Sequence, residues 1–577
     1  GWSVFLFVVP GVLAAVALGR FESLRPVAPL WSLALNTAAL AALCGVARCS
    51  VGVDRMTLAA GWTAWIALLA AGAWRGGEGW RALGGAARRN APIAVVGLAA
   101  MAGAVVVFLP EQFIQCFCED GTETFQLAQS LADHMAPHWE IETWRRVPGG
   151  LWGPVVVNPS LVNSYWTFAL QTLASASEAS TRWPYWIWSL ATLGVAWRMV
   201  RRDDGEGAWP RAMLLAMSLW LSTVWFTFYV GYNPYMADLA NPGVPDALFA
   251  LLVLLSLDAL RRGSRWGVVA AGILASLVFY SGVLWLAALL SAVWLSRAMP
   301  PRQTLGTAAA ATGAMALIVA FYVAYGWRAG VLPYWIDTFD IEYLNDYLAA
   351  VPRGQSVPVF AGYFVLGCGV VPVVGLVRAM RREAWQRAAA LAAVVYLAVV
   401  LGSGFKNLHY LGPMLPIPTI LLLATEPEAP PSRRLGRSAA ALGFLAATLV
   451  CWPTERQTFT LNRRLGAATT IATDSPREAV DWARLRHVLR RDGRMSWDCD
   501  EHTWALYAEL NPSRAAPRPL VLVAEAAAGV RRAEHSTAGR DGAGDAGRAA
   551  EGDRPTAGPL DARGQPRGLP PGYVLVA

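Results

Sequence analysis

The chain reads as an all-α polytopic membrane protein, and three observations predict it. Hydrophobic residues fill 55% of 577 positions against 15% charged, with a mean hydropathy of +0.38, too apolar for a water-soluble domain. Apolar runs suited to crossing a bilayer recur along most of the chain. Short arginine clusters sit between alternate runs, the bias that marks cytoplasmic loops. The formal charge of +8 therefore belongs to loops, and it points away from nucleic-acid partners. The 27 tryptophans suit both the membrane interface and packing between helices.

Four runs open the chain: Trp2–Leu18, Leu30–Ala47, Met56–Trp74 and Ile93–Leu109. The stretch after the third carries Arg75, Arg81, Arg88 and Arg89 against Glu78, which places it inside. The fourth run then delivers the polar stretch 111–161 to the outside. Further spans are expected at Tyr185–Val200, Met213–Val230, Leu248–Leu260, Val268–Tyr280, Val283–Leu295, Thr307–Tyr325, Val359–Val377, Ala388–Leu401, Leu411–Leu423 and Ala439–Val450. With alternating crossings, the clusters around Arg198, Arg261, Arg297, Arg378 and Arg433 all fall inside, provided that Leu161–Leu173 does not cross. That segment is therefore read as a juxtamembrane or re-entrant helix, giving about fourteen crossings with both termini outside. Gly1 in place of Met suggests an amino terminus further upstream.

The organisation expected is 1–90, amino-terminal transmembrane helices; 91–452, a transmembrane module with the external loop 111–161; and 453–524, a small external soluble α/β domain. The last is read from an apolar helical period over Arg477–Asp492 and a strand over Pro519–Ala524. Residues 525–570 are rich in Ala, Gly and Arg and poor in large apolar side chains, so disorder is expected there, with 571–577 as a returning strand.

The external loop is the stretch that invites chemistry. Phe125, Ala128, Leu131, Ala132 and Met135 recur at spacings of three and four, the pattern of an amphipathic helix lying at the interface. Glu119 and Asp120 stand just before it, at the mouth of the fourth span, and carboxylates at such a place raise a functional question. Asp120 followed by Glu123 is also the spacing of a capping box, so cap and base are both open, and they are compatible. Seven cysteines show no zinc-type spacing. Cys116, Cys118 and Cys499 would all face outside, and whether two of them pair stays open.

Five stretches in order resemble the membrane glycosyltransferases of the GT-C fold, above all the bacterial relatives of protein O-mannosyltransferases and the lipid A aminoarabinose transferase. Glu119-Asp120 with Phe125, Ala128 and Leu131 is similar to the family's carboxylate signature. Asn158-Pro159-Ser160-Leu161 with Tyr165-Trp166 is similar to a Pro-Pro-Leu motif with one proline missing. Ser177-Glu178-Ala179 with Arg182 and Pro184 follows, then Asn233-Pro234-Tyr235 with the helix opened by Pro245-Asp246. The last is Gly404-Phe405-Lys406-Asn407-Leu408-His409-Tyr410, running into a proline-containing helix. The resemblance covers about Ile93 to Leu423, leaving out the first three helices and the tail.

It implies transfer of a sugar from a polyprenyl-phosphate carrier to a cell-envelope acceptor at the external, periplasmic face of a bacterial-type inner membrane, usually with inversion. Such a reaction needs a base for the acceptor hydroxyl and a clamp for the leaving phosphate. Asp120 is the first candidate base, with Glu119 beside it. Lys406 leads the candidates for donor phosphate, being the only lysine among 48 basic residues and lying where the positive-inside bias would not put one. A snorkelling interfacial lysine is the alternative. His409, Tyr410, Arg182 and Arg145 join it as phosphate candidates, and Asn158, Tyr165 and Asp246 are the substrate-binding candidates. Some relatives use a divalent metal; no metal-ligand spacing is visible here, and metal dependence stays open. The competing readings are a transporter or flippase of lipid-linked sugars and a non-catalytic envelope scaffold. Charges buried in mid-helix on an inverted repeat would favour the flippase, and the sequence shows neither.

Overall fold

The computed structural model describes residues 1–75, 77–114, 128, 131–132, 161–174, 178–201, 208–216, 246–279, 281–328, 364, 370–402 and 412–425. The chain divides into two compact units, Gly1–Leu109 with Glu123–Gln457, and Pro110–Thr122 with Thr458–Ala577. Every described element is helical. The expected α/β domain, the span Ala439–Val450 and the segment 525–577 lie outside the described residues.

A π-helical turn, Val4–Val8, leads into α1 (Val9–Gly19), followed by α2 (Ala28–Ser50), α3 (Arg55–Trp74) and α4 (Gly77–Ile114). Prolines at the first turns of α1 and α2 suit positions where an N–H has no helical partner. Asp54 caps α3, its carboxylate accepting the Thr57 N–H at 2.7 Å. Then come α5 (Leu161–Leu173), α6 (Glu178–Val200), α7 (Asp246–Arg261), α8 (Arg265–Ser276), α9 (Ser281–Ser296), α10 (Pro301–Arg328), α11 (Val370–Ala379), α12 (Ala384–Gly402) and α13 (Pro416–Thr425). Among the described residues, the stretches Arg25–Ser50, Arg55–Trp74 and Pro301–Arg328 are each long and apolar enough to cross a membrane.

Two elements extend beyond their apolar runs. The arginine-bearing stretch after α3, expected as a loop, is already helical from Gly77, because hydropathy marks the part of a helix that meets lipid rather than where its backbone pattern starts. Likewise α6 begins at Glu178 and carries Pro184 inside it. The helix α5 is about 20 Å long at 1.5 Å per residue, short of a ~30 Å hydrocarbon core. Eleven of its thirteen residues are buried, among them Asn163, Ser164, Thr167 and Gln171, so it is enclosed by protein rather than laid on a surface.

In the first unit α1, α2 and α3 pack on one another, and α5 lies against α2, α3 and α6. Helix α6 joins α7 and α13, while α8 packs on α2, α7, α9 and α10, and α12 on α7, α9, α11 and α13. One core runs through this unit. Its densest aromatic point is Trp166 of α5. That ring stacks on Phe7 at 4.7 Å and meets Trp62 and Trp188 edge-on at 6.0 and 5.9 Å, while its Nε1 donates to Thr37 Oγ1 at 3.0 Å. In lipid, where tails are as apolar as leucine, such close packing and hydrogen bonding hold helices together.

Arginines of the clusters around Arg198 and Arg261, expected inside, gather at one end. Arg198 pairs with Asp258 at 2.7 Å and Arg262 with the same carboxylate at 3.2 Å. Arg201 donates to Asn90 at 2.9 Å, Trp197 to the Arg89 carbonyl at 3.1 Å, and Arg387 to the Ser296 carbonyl at 3.4 Å. Arg261 lies 5.6 Å over the Trp385 ring. Helix α2 starts at this end, next to Pro26, whose carbonyl accepts from Arg198, and runs about 34 Å to the other.

Candidate functional site

At the far end of α2, its last turn carries Arg48, and the described part of the external loop closes on it. Ala128 and Leu131 are fully buried, as the amphipathic pattern required, and the Leu131 N–H donates to the Ala128 carbonyl at 3.1 Å. Arg48 Nη2 donates to the Leu131 carbonyl at 2.6 Å and Nε to the Ala132 carbonyl at 3.4 Å. Cations suit the carbonyl end of a helical turn, where backbone oxygens lack helical partners.

Tyr165 reaches the same place from α5. Its ring is buried, at 4% exposure, and its hydroxyl sits beside the Arg48 guanidinium. The first turn of α5 is fixed in turn by the Val162 N–H, which donates to the Leu277 carbonyl just after α8 at 3.3 Å. Two stretches some thirty residues apart in sequence, one following the acidic pair and the other following Asn158-Pro159, thus converge on one guanidinium.

Other candidates are placed in part. Arg182 lies in the first turns of α6, which packs against α5, and Asp246 is the first residue of α7; carboxylates are favoured at such a terminus. The chain that follows the Lys406 stretch is described from Gly412, where Met414, Leu415 and Ile417 enter the core. Glu119, Asp120, Arg145, Asn158, Lys406, His409 and Tyr410 lie outside the described residues, as do Cys116, Cys118 and Cys499. Cys44 and Cys49 are free thiols, the first buried and the second exposed. Among the described residues no cluster of His, Cys, Asp and Glu suited to a metal ion occurs.

Two residues escaped the sequence reading. Arg48 is a cation at the end opposite the arginine clusters, and the positive-inside test that singled out Lys406 would have singled it out too. Asp258 is a carboxylate with a 3% exposed side chain; an acid in an apolar run with arginine four residues on is its signal. It lies in the last turn of α7 and is doubly paired, unlike the mid-helix charges that a transport path would need.

No family model matches the chain, and none of the curated proteins does. Two solved structures are similar to it, both of ArnT from Cupriavidus metallidurans. One is bound to undecaprenyl phosphate and has a TM-score of 0.44; the other is in the apo state, with a TM-score of 0.41. Each is 16% identical and covers 74% of this chain and 78% of that chain.

Proposed function

We propose that this chain is an integral membrane glycosyltransferase that moves a sugar from a polyprenyl-phosphate donor to a cell-envelope acceptor at the external face. The observation that carries the reading is the ordered set of stretches from Glu119-Asp120 to Lys406-His409-Tyr410. The meeting of residues from the first two of them, Leu131 and Tyr165, at Arg48 supports it, since motifs that serve one reaction must share one end of the bundle.

In this reading the Asp120 carboxylate takes the proton of the acceptor hydroxyl as that oxygen bonds to the anomeric carbon. The carrier phosphate leaves with the electron pair of the broken bond. A positioned base of this kind contributes about 10²–10⁴-fold. Lys406 supplies a point charge for the phosphate, with His409, Tyr410, Arg182 and Arg145 as further donors. Asn158, Tyr165 and Asp246 line the substrate side, and Glu119 neighbours the base.

The test is sugar transfer by purified protein in liposomes, with a panel of polyprenyl-phosphate sugars and an envelope extract, comparing wild type with Asp120→Asn. Transfer lost in the variant while donor binding persists supports the reading. Carrier movement across the bilayer without transfer would replace it with a flippase. Undiminished transfer in the variant would leave Asp120 as a helix cap.

A further inference from the structure

We propose that three arginine-bearing turns, at the end of the bundle expected inside, form a binding surface for the phosphodiester headgroups of anionic phospholipids, whatever reaction the other end carries out. The turns are those between α7 and α8, α9 and α10, and α11 and α12, and they meet around Trp385. Arg261 lies 5.6 Å over the Trp385 ring, Trp385 Nε1 donates to Glu383 at 2.7 Å, and Arg387 donates to the carbonyl of Ser296, the residue before Arg297. Residues 258–302 and 378–387 hold nine arginines against two carboxylates. Both carboxylates are already engaged, Asp258 by Arg198 and Arg262 and Glu383 by Trp385. Arg297, Arg302, Arg381 and Arg382 are exposed and have no acidic partner among the described residues.

The backbone at Arg297 gives independent support. Helix α9 ends as α7 does: the Ala298 N–H donates to the Val293 carbonyl at 3.1 Å, as the Ser264 N–H does to the Ala259 carbonyl at 2.9 Å, each bond closing over one residue in the left-handed conformation. After α7 that residue is Gly263, with φ 68°; after α9 it is Arg297, with φ 54°. Among the described residues no other side chain is held at positive φ. Glycine would form this turn without the steric cost, so the arginine there calls for a reason beyond the turn. The bilayer supplies one. Trp294, three residues before Arg297, is 50% exposed, and Trp266 is 54% exposed with Arg265 5.0 Å over its ring; indoles so placed sit at headgroup level. A guanidinium about 4.5 Å further along the helix rise reaches phosphate depth, and its fork of N–H donors matches phosphate oxygens. Orientation in the membrane asks only that such charge lie inside; it does not ask for an arginine in a glycine's conformation.

The full chain in vesicles would be probed with spin-labelled phosphatidylglycerol and spin-labelled phosphatidylcholine, with thermal unfolding as a second readout. Wild type should enrich phosphatidylglycerol at its boundary, and less so as salt is raised. Arg297→Gly should lower that enrichment about two- to fivefold while melting at or above wild type in phosphatidylcholine vesicles, because glycine relieves the turn. Adding Arg381→Gln and Arg382→Gln should abolish the enrichment. Arg55→Gln, an exposed arginine at the opposite end, should leave it unchanged. If the triple variant fails to fold, Arg297→Gly alone decides. Equal association of the two lipids with wild type overturns the proposal, as does enrichment that survives the substitutions. Enrichment reversed by inorganic phosphate at constant ionic strength would make the surface a site for a soluble phosphate compound, and that too overturns the lipid assignment.

Discussion

Arg198 Nη2 stands 2.7 Å from Asp258 Oδ2 and 2.6 Å from the Pro26 carbonyl, so a single guanidinium joins α6, α7 and the turn before α2. Arg262 approaches the same carboxylate from four residues on. Removing one partner of a buried pair strands the other charge at a cost of about 3–5 kcal/mol, whereas replacing both by apolar groups can be neutral. Asp258→Ala should therefore melt well below wild type in detergent, and Arg198→Met with Asp258→Leu should recover much of the loss. A single variant that melts with wild type would show the pair to be idle.

Gly282 lies in the first turn of α9 against the backbone of Ala275 and Ser276 in α8, so closely that an added Cβ would overlap the Ala275 carbonyl. Two helix backbones approach this way only where one residue lacks a side chain. Gly282→Ala should cost about 1–3 kcal/mol through forced repacking. Gly306, which a Cβ would leave in open space, is the control: Gly306→Ala should leave the melting temperature unchanged or raised.

Asp54 predicts a pH effect. Its hydrogen bond from the Thr57 N–H holds the carboxyl below its ordinary value of 3.8. A depressed folded-state value means that the cap's contribution is present above the unfolded value and is lost as pH falls through the folded one. The gap in melting temperature between wild type and Asp54→Ala should stay constant at neutral pH and close only below about pH 4. A gap that closes near pH 6 would point to another group.

Lys406 tests the phosphate clamp. A hydrogen bond to a charged partner contributes about 1.5–3 kcal/mol, or about 10- to 100-fold in affinity. Lys406→Ala should weaken donor binding by that factor, and Lys406→Arg should retain part of it. Donor affinity unchanged in both would return Lys406 to the interface as a snorkelling side chain.

The sequence displayed the bundle better than its working end. Leu30–Ala47, Met56–Trp74, Val283–Leu295 and Ala388–Leu401 each sit inside an observed helix, because a long apolar run must be taken out of water, against lipid or neighbouring helices, and a helix satisfies its backbone in either place. The same signal fell short at Gly77, where a helix begins well before its apolar run. Periodicity identified Ala128 and Leu131 as a buried face. It could not identify Arg48 as the partner of the Leu131 carbonyl, since a contact across 83 residues leaves no local pattern. The burial of Asn163, Thr167 and Gln171 was equally hidden: hydropathy reads them as a reason to face water, and only the surrounding helices enclose them.

The four-ring cluster around Trp166 sets a timing problem during synthesis. Trp62 leaves the ribosome about a hundred residues before Trp166 and Phe7 about 160 before it, which at ordinary elongation rates is about 5–20 s and about 8–30 s. Through that interval Phe7, Trp62 and the Thr37 hydroxyl lack the indole that covers them in the folded protein. The packing of the early helices around Thr37, Phe7 and Trp62 is thus completed only by chain made later, first Trp166 and then Trp188.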